Sequence, residues 1–132
     1  MAKEKYDVAK FMFSNALEID ATLFEALYNM GLLCKKTGDY EDALIYFNKL
    51  SANLGHQQHP EVIYQIANTY EMMGDVNAAL ESYHQLLGIV QLDAGILKRV
   101  GELYEMKGDR QQAFHYHLES HRIYPIDFTV SI

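Results

Sequence analysis

Tyr64-Gln65-Ile66-Ala67-Asn68-Thr69-Tyr70-Glu71-Met72-Met73-Gly74-Asp75-Val76-Asn77-Ala78-Ala79 decides how this chain folds. Its Gly-Asp dipeptide recurs as Gly38-Asp39 and Gly108-Asp109, at spacings of 36 and 34 residues. The surroundings recur with it. Eight, seven and four residues before each glycine stand Met30, Gly31 and Cys34, then Ile66, Ala67 and Tyr70, then Val100, Gly101 and Tyr104. Five residues after it come Ala43, Ala79 and Ala113, and four further on Phe47, Tyr83 and His117. A fixed period near 34 residues marks a stack of repeated supersecondary units.

Each unit reads as two helices joined by a tight turn. Gly38, Gly74 and Gly108 suit the left-handed residue that ends the first helix, where a Cβ is disfavoured. The aspartate that follows can cap the second helix by accepting from its free N–H groups, and Asp109 with Gln112 has the spacing of a capping box. Small residues at Gly31, Ala67 and Gly101 and at Ala43, Ala79 and Ala113 let paired helices approach, while Phe47, Tyr70, Tyr83 and Tyr104 fill the gaps. Pro60 fits the first turn of a helix and Pro125 the residue after one. The expected fold is all-α, a superhelical solenoid of helix-turn-helix hairpins.

This pattern resembles the tetratricopeptide repeat, over nearly the whole chain. The repeats fall at 24–57, 60–93 and 94–127. Residues 3–21, with Ala9, Phe13 and Ala16, read as the second helix of a preceding repeat, and 128–132 as the start of a truncated one. Because solenoid ends need a polar cap, the ragged framing reads as a segment of a longer array. Phe114, Leu118 and Ile123 of the last helix (109–124) then face outward, and weak self-association through them is expected.

The 132 residues are 49% hydrophobic and carry eleven Lys and Arg against eighteen Asp and Glu, a net charge of −7. That balance disfavours a sequence-independent grip on nucleic acid or an anionic membrane. No apolar run reaches the ~20 residues that span a bilayer, so no membrane insertion is expected. A lone Cys34 permits neither an internal disulfide nor a cysteine zinc cage.

In tetratricopeptide superhelices the first helices line a concave groove. The resemblance places Tyr28, Lys35, Tyr64, Asn68, Glu71, Lys98 and Glu102 there as partner-binding candidates, with Glu25, Leu32, Lys36, Glu61, Met72, Gly95, Glu105 and Met106 also facing it. Tyr28 and Tyr64 are the expected anchors, since tyrosine offers large area and a polar tip. Chaperone-binding members hold a terminal carboxylate with Lys, Asn, Asn, Lys and Arg. Those places here hold Tyr28, Leu32, Gln65, Gly95 and Arg99, so the clamp is missing. An asparagine ladder fails likewise at Gln65 and Arg99, keeping only Asn29.

Chemistry is sparse. His115, His117 and His121 cluster near the C-terminus, and His117 with His121 has i, i+4 spacing. Two ligands on one helix still need a third, and His117 holds the aromatic packing place. Cys34 reads as a buried small hydrophobe, activated only if Lys35 and Lys36 lie close. His56 and His59 flank a loop over 53–59 and read as solvated, and His84 reads as exposed. With no phosphate loop, Gly-x-Gly-x-x-Gly or Gly-x-Ser-x-Gly motif, we expect no catalytic residue, no metal and no cofactor.

Two stretches, 64–75 and 101–114, together with 26–32 and the run 117–125, resemble the polaris family, the large tetratricopeptide subunit of intraflagellar transport complex B. Gln65, Asn68, Glu71, Ser120 and Arg122 carry that resemblance beyond the general repeat pattern. It implies a non-enzymatic scaffold needed for cilium or flagellum assembly. Its partners would be other complex B subunits, and its location the cytoplasm, cilium and basal body. The alternatives are a co-chaperone or receptor adaptor that binds partner peptides in its groove and, weakest, a metal-dependent enzyme built on the histidines.

Overall fold

The computed structural model describes residues 7–12, 15, 24–54 and 59–123. Residues 7–12 are helical, and six helices follow: α1 (Phe24–Lys36), α2 (Tyr40–Leu54), α3 (Pro60–Met73), α4 (Val76–Leu87), α5 (Ala94–Lys107) and α6 (Arg110–Ile123). There is no strand among the described residues. The helices pair as α1 with α2, α3 with α4 and α5 with α6, and each second helix also packs on the next first helix. This is the expected all-α hairpin stack. The rest of 3–21, and all of 128–132, Pro125 and His56, lie outside the described residues.

The three turns are copies of one another. Gly38, Gly74 and Gly108 have φ of 85°, 84° and 87°, with open space where a Cβ would stand. Glycine is needed for its backbone angle and not for room. Each turn closes as a Schellman motif. Gly74 N–H donates to the Glu71 carbonyl and Asp75 N–H to the Tyr70 carbonyl, and the same pair of bonds recurs at Gly38-Asp39 and Gly108-Asp109.

The aspartates then start the second helices. Asp75 Oδ1 accepts from Ala78 N–H at 3.2 Å, and Asp109 Oδ1 from Gln112 N–H at 3.2 Å. Asp39 also ties the turn to the preceding helical segment, accepting from Lys10 Nζ at 2.9 Å and from Thr37 Oγ1 at 3.1 Å. Pro60 opens α3. Asn53 and Leu54, expected in the loop, extend α2, and residues 55–58 lie outside the described residues.

Helix pairs close where the small residues were expected. A Cβ on Gly31 would stand 2.5 Å from the Phe47 ring, and one on Gly101 would stand 2.9 Å from His117. Ala67 fills the same place opposite Tyr83, and Phe47, Ala67 and Tyr83 are fully buried. The core continues along the array through Leu27, Leu50 and Val62, then Ile63, Leu80, Leu86, Val100 and Leu103. α6 differs from the others in burying only Ala113, while Phe114, Leu118 and Ile123 are exposed.

Candidate functional site

The first helices α1, α3 and α5 form one face, tied by polar bridges that run from each helix to the next. Tyr28 Oη donates to Glu61 Oε1 at 2.9 Å. Lys35 Nζ donates to Gln65 Oε1 at 2.8 Å, and Gln65 Nε2 reaches back to Glu61 Oε1 at 3.2 Å. From α3 to α5, Arg99 Nη1 lies 3.4 Å from both Glu71 oxygens. Burial and the Glu61 carboxylate push the Tyr28 hydroxyl up to about 12, so it stays protonated and donates.

Two clefts open on this face. One, of about 480 Å³, lies over α1 and α3 between Ala9, Leu32, Leu33, Lys35, Lys36 and Gln65. The other, of about 370 Å³, lies over α3 and α5 and includes Glu61, Tyr64, Val90, Ile96 and Arg99. Tyr64 and Lys35 thus line clefts, whereas Lys98 and Glu102 are exposed and line neither. The Tyr28 ring stacks on Phe24 at 6.0 Å and meets Phe47 edge-on, so this expected anchor is committed to the chain's own packing. The Tyr64 ring packs against Tyr83 at 6.3 Å.

Three places on this face follow a rule that the sequence did not advertise. Glu71 accepts from the hydroxyl of buried Tyr83 at 2.8 Å, with Asn68 beside the same hydroxyl. One repeat later Glu105 meets His117 Nε2 at 2.6 Å. One repeat earlier the packed ring is Phe47, which has no polar tip, and the place of Glu71 and Glu105 is held by Lys35. A polar tip on the packed ring comes with a glutamate that receives it. Glu71 and Asn68, read as partner contacts, therefore serve the second hairpin internally.

Other expected sites also change. His84 was expected to be exposed; it is half-buried, with Nε2 3.0 Å from the Tyr104 hydroxyl and its ring edge-on to Tyr116. Burial pulls its pKa down. His59 is exposed, its ring 5.6 Å from that of Phe24. Cys34 is buried, and desolvation pushes its thiol up. The cation that opposes this is Lys10, not Lys35 or Lys36. His115 packs on Tyr116 and His117 faces Glu105, and no three His, Cys, Asp or Glu among the described residues are grouped to hold a metal. No described helix is long and apolar enough to cross a membrane.

Gln65 and Arg99 emerge as face-lining residues that the groove assignment left out. They stand at equivalent places of consecutive repeats, and that equivalence was the available signal. The residues behind the intraflagellar resemblance turn out to be bound inside the chain. Gln65, Asn68 and Glu71 join the bridges above, Ser120 Oγ donates to the Ala94 carbonyl at 2.9 Å, and Arg122 pairs with Glu119 at 2.9 Å.

The tetratricopeptide repeat family profiles match residues 24–52 and 61–89. The Photosystem I assembly protein Ycf3 of Prochlorococcus marinus strain NATL1A is 30% identical over 106 residues, covering 80% of this chain and 60% of that protein. Its counterpart in strain NATL2A is 29% identical over 106 residues, again 80% and 60%. The chain thus spans about three-fifths of these relatives. A crystal structure of MamA superposes with a TM-score of 0.81 at 19% identity, over 94% of this chain and 71% of that one. MamA from residue 41 onward, from Desulfovibrio magneticus RS-1, gives 0.82 at 16% identity over 94% and 69%. At such identities the MamA likeness shows the fold alone. None of these likenesses bears on intraflagellar transport, so complex B partners and a ciliary or basal-body location gain no support from them. The chain carries tetratricopeptide repeats at residues 24–52 and 61–89 and is folded as an all-α solenoid of helix-turn-helix hairpins.

Proposed function

We propose that this chain is the peptide-holding part of an adaptor that keeps partner proteins in place while a larger assembly forms. The observation that carries the reading is the pair of clefts on the first-helix face, over α1–α3 and α3–α5, with Lys35, Tyr64 and Arg99 on their walls. Rigid helices presenting a few polar groups among apolar walls suit an extended or helical segment of another protein. The likeness to a photosystem I assembly protein supports an assembly role in particular. The intraflagellar scaffold is the weaker reading, because the residues that suggested it have internal partners.

Site-specific photo-crosslinking in the native host tests the adaptor. A benzophenone amino acid at Tyr64 or Met72 on the first-helix face should trap partner polypeptides, and one at Glu81 on α4 should not. Crosslinks confined to Glu81 would overturn the proposal.

A further inference from the structure

Lys35 is a cation that its own hairpin leaves without an acid. At the equivalent places, Glu71 receives the Tyr83 hydroxyl and Glu105 meets His117. In the first repeat the packed ring is Phe47, and the ammonium of Lys35 is turned to the face. Its hydrogen bond goes to Gln65 Oε1 at 2.8 Å, a neutral amide oxygen, and it makes no salt bridge with any described residue. It also sits in a poor place for a charge. Lys35 is half-buried on the wall of the 480 Å³ cleft, whose other walls include Ala9, Leu32 and Leu33. Burial of the ammonium lowers its pKa. The nearby carboxylates of Glu61 and Glu71 offset that desolvation only in part and make no ion pair with the ammonium, and a carboxylate delivered from outside would supply a contact partner through a charge-assisted hydrogen bond.

We propose that Lys35 and the aliphatic wall beside it form a subsite for an acidic–aliphatic segment of a partner protein. An internal Asp or Glu side chain meets the ammonium, and a neighbouring Leu, Ile or Val fills the cleft. The cleft falls within the range of roughly 300–1,000 Å³ common to ligand sites. This subsite rests on the adaptor reading and adds the chemistry of what it recognises.

Fluorescence anisotropy on the full chain tests it with three labelled dodecapeptides. One carries a central Asp-Leu-Leu with both ends blocked, one Asn-Leu-Leu with both ends blocked, and one Asn-Leu-Leu with a free terminal carboxylate. The blocked Asp peptide should bind about tenfold or more tightly than the blocked Asn peptide. Lys35→Gln should abolish that preference. So should Gln65→Glu, which sets a carboxylate beside the ammonium and serves should Lys35→Gln fail to fold. Lys49→Gln, on the exposed side of α2, should leave the preference intact. Equal binding of the two blocked peptides, binding by the free terminus alone, no binding by any, or a preference that survives both Lys35→Gln and Gln65→Glu would overturn the subsite. The two readings fail separately. Crosslinking from Tyr64 that persists alongside any of these results leaves the adaptor standing without this subsite, whereas crosslinks confined to Glu81 remove the adaptor itself.

Discussion

The hydroxyl of Tyr83, inside the second hairpin, donates to Glu71 on the first-helix face across 2.8 Å, while the same carboxylate faces Arg99 of the next repeat. One glutamate therefore joins a buried ring to a neighbouring repeat. Tyr83→Phe should cost about 1 kcal/mol in urea unfolding. The ring itself should fit, because a phenylalanine, Phe47, fills the equivalent fully buried place in the first repeat. A double-mutant cycle with Glu71→Gln should show coupling of about 0.5 kcal/mol or more, and strict additivity would remove the link.

Glycines 31 and 101 occupy the same place in their repeats and should respond differently to alanine. At Gly31 the new Cβ would meet the fully buried Phe47 ring at 2.5 Å, and the ring has no solvent to move into. Gly31→Ala should destabilise by roughly 1–3 kcal/mol. At Gly101 the clash is with His117 at 2.9 Å, and that side chain is about one-third exposed, with its Nε2 tied only to exposed Glu105, so the pair can give way toward solvent. Gly101→Ala should cost clearly less, as thermal melts of the two variants will show.

Gly74 tests the turn chemistry in isolation. Its φ of 84° and the empty space around it mean that a side chain meets strain but no neighbour. Gly74→Val should cost about 1 kcal/mol or more, and Gly74→Asn less, since asparagine tolerates the left-handed region. Equal melting temperatures for Gly74→Val and the parent would contradict the left-handed turn.

The turns were legible because their chemistry is local: a glycine and an aspartate state their backbone needs within six residues. The groove was only partly legible. Tyr28, Asn68 and Glu71 stand at groove places, yet their partners Glu61, Tyr83 and Arg99 lie between 12 and 33 residues away. Periodicity assigns a residue to a face and says nothing of what it holds there. His84 was misread for the same reason, being covered by Tyr104 and Tyr116 of the following repeat.

That cover makes His84 a source of acid sensitivity. Its pKa is lowered by burial from the ordinary value of 6.5, so below about pH 6.5 the unfolded chain takes up a proton that the folded one refuses. This contribution is complete above pH 6.5 and declines as the pH falls from there to the folded pKa. His84→Gln should flatten the dependence of melting temperature on pH between 7 and 5. An unchanged slope would show that His84 does not govern it.

α6, which buries a single alanine, also sets the mechanical character of the molecule. Pulled from its two ends, the array should yield first at this helix, well before the hairpin centred on Tyr83. The force trace should then be a staircase, with a low first step and a higher one behind it.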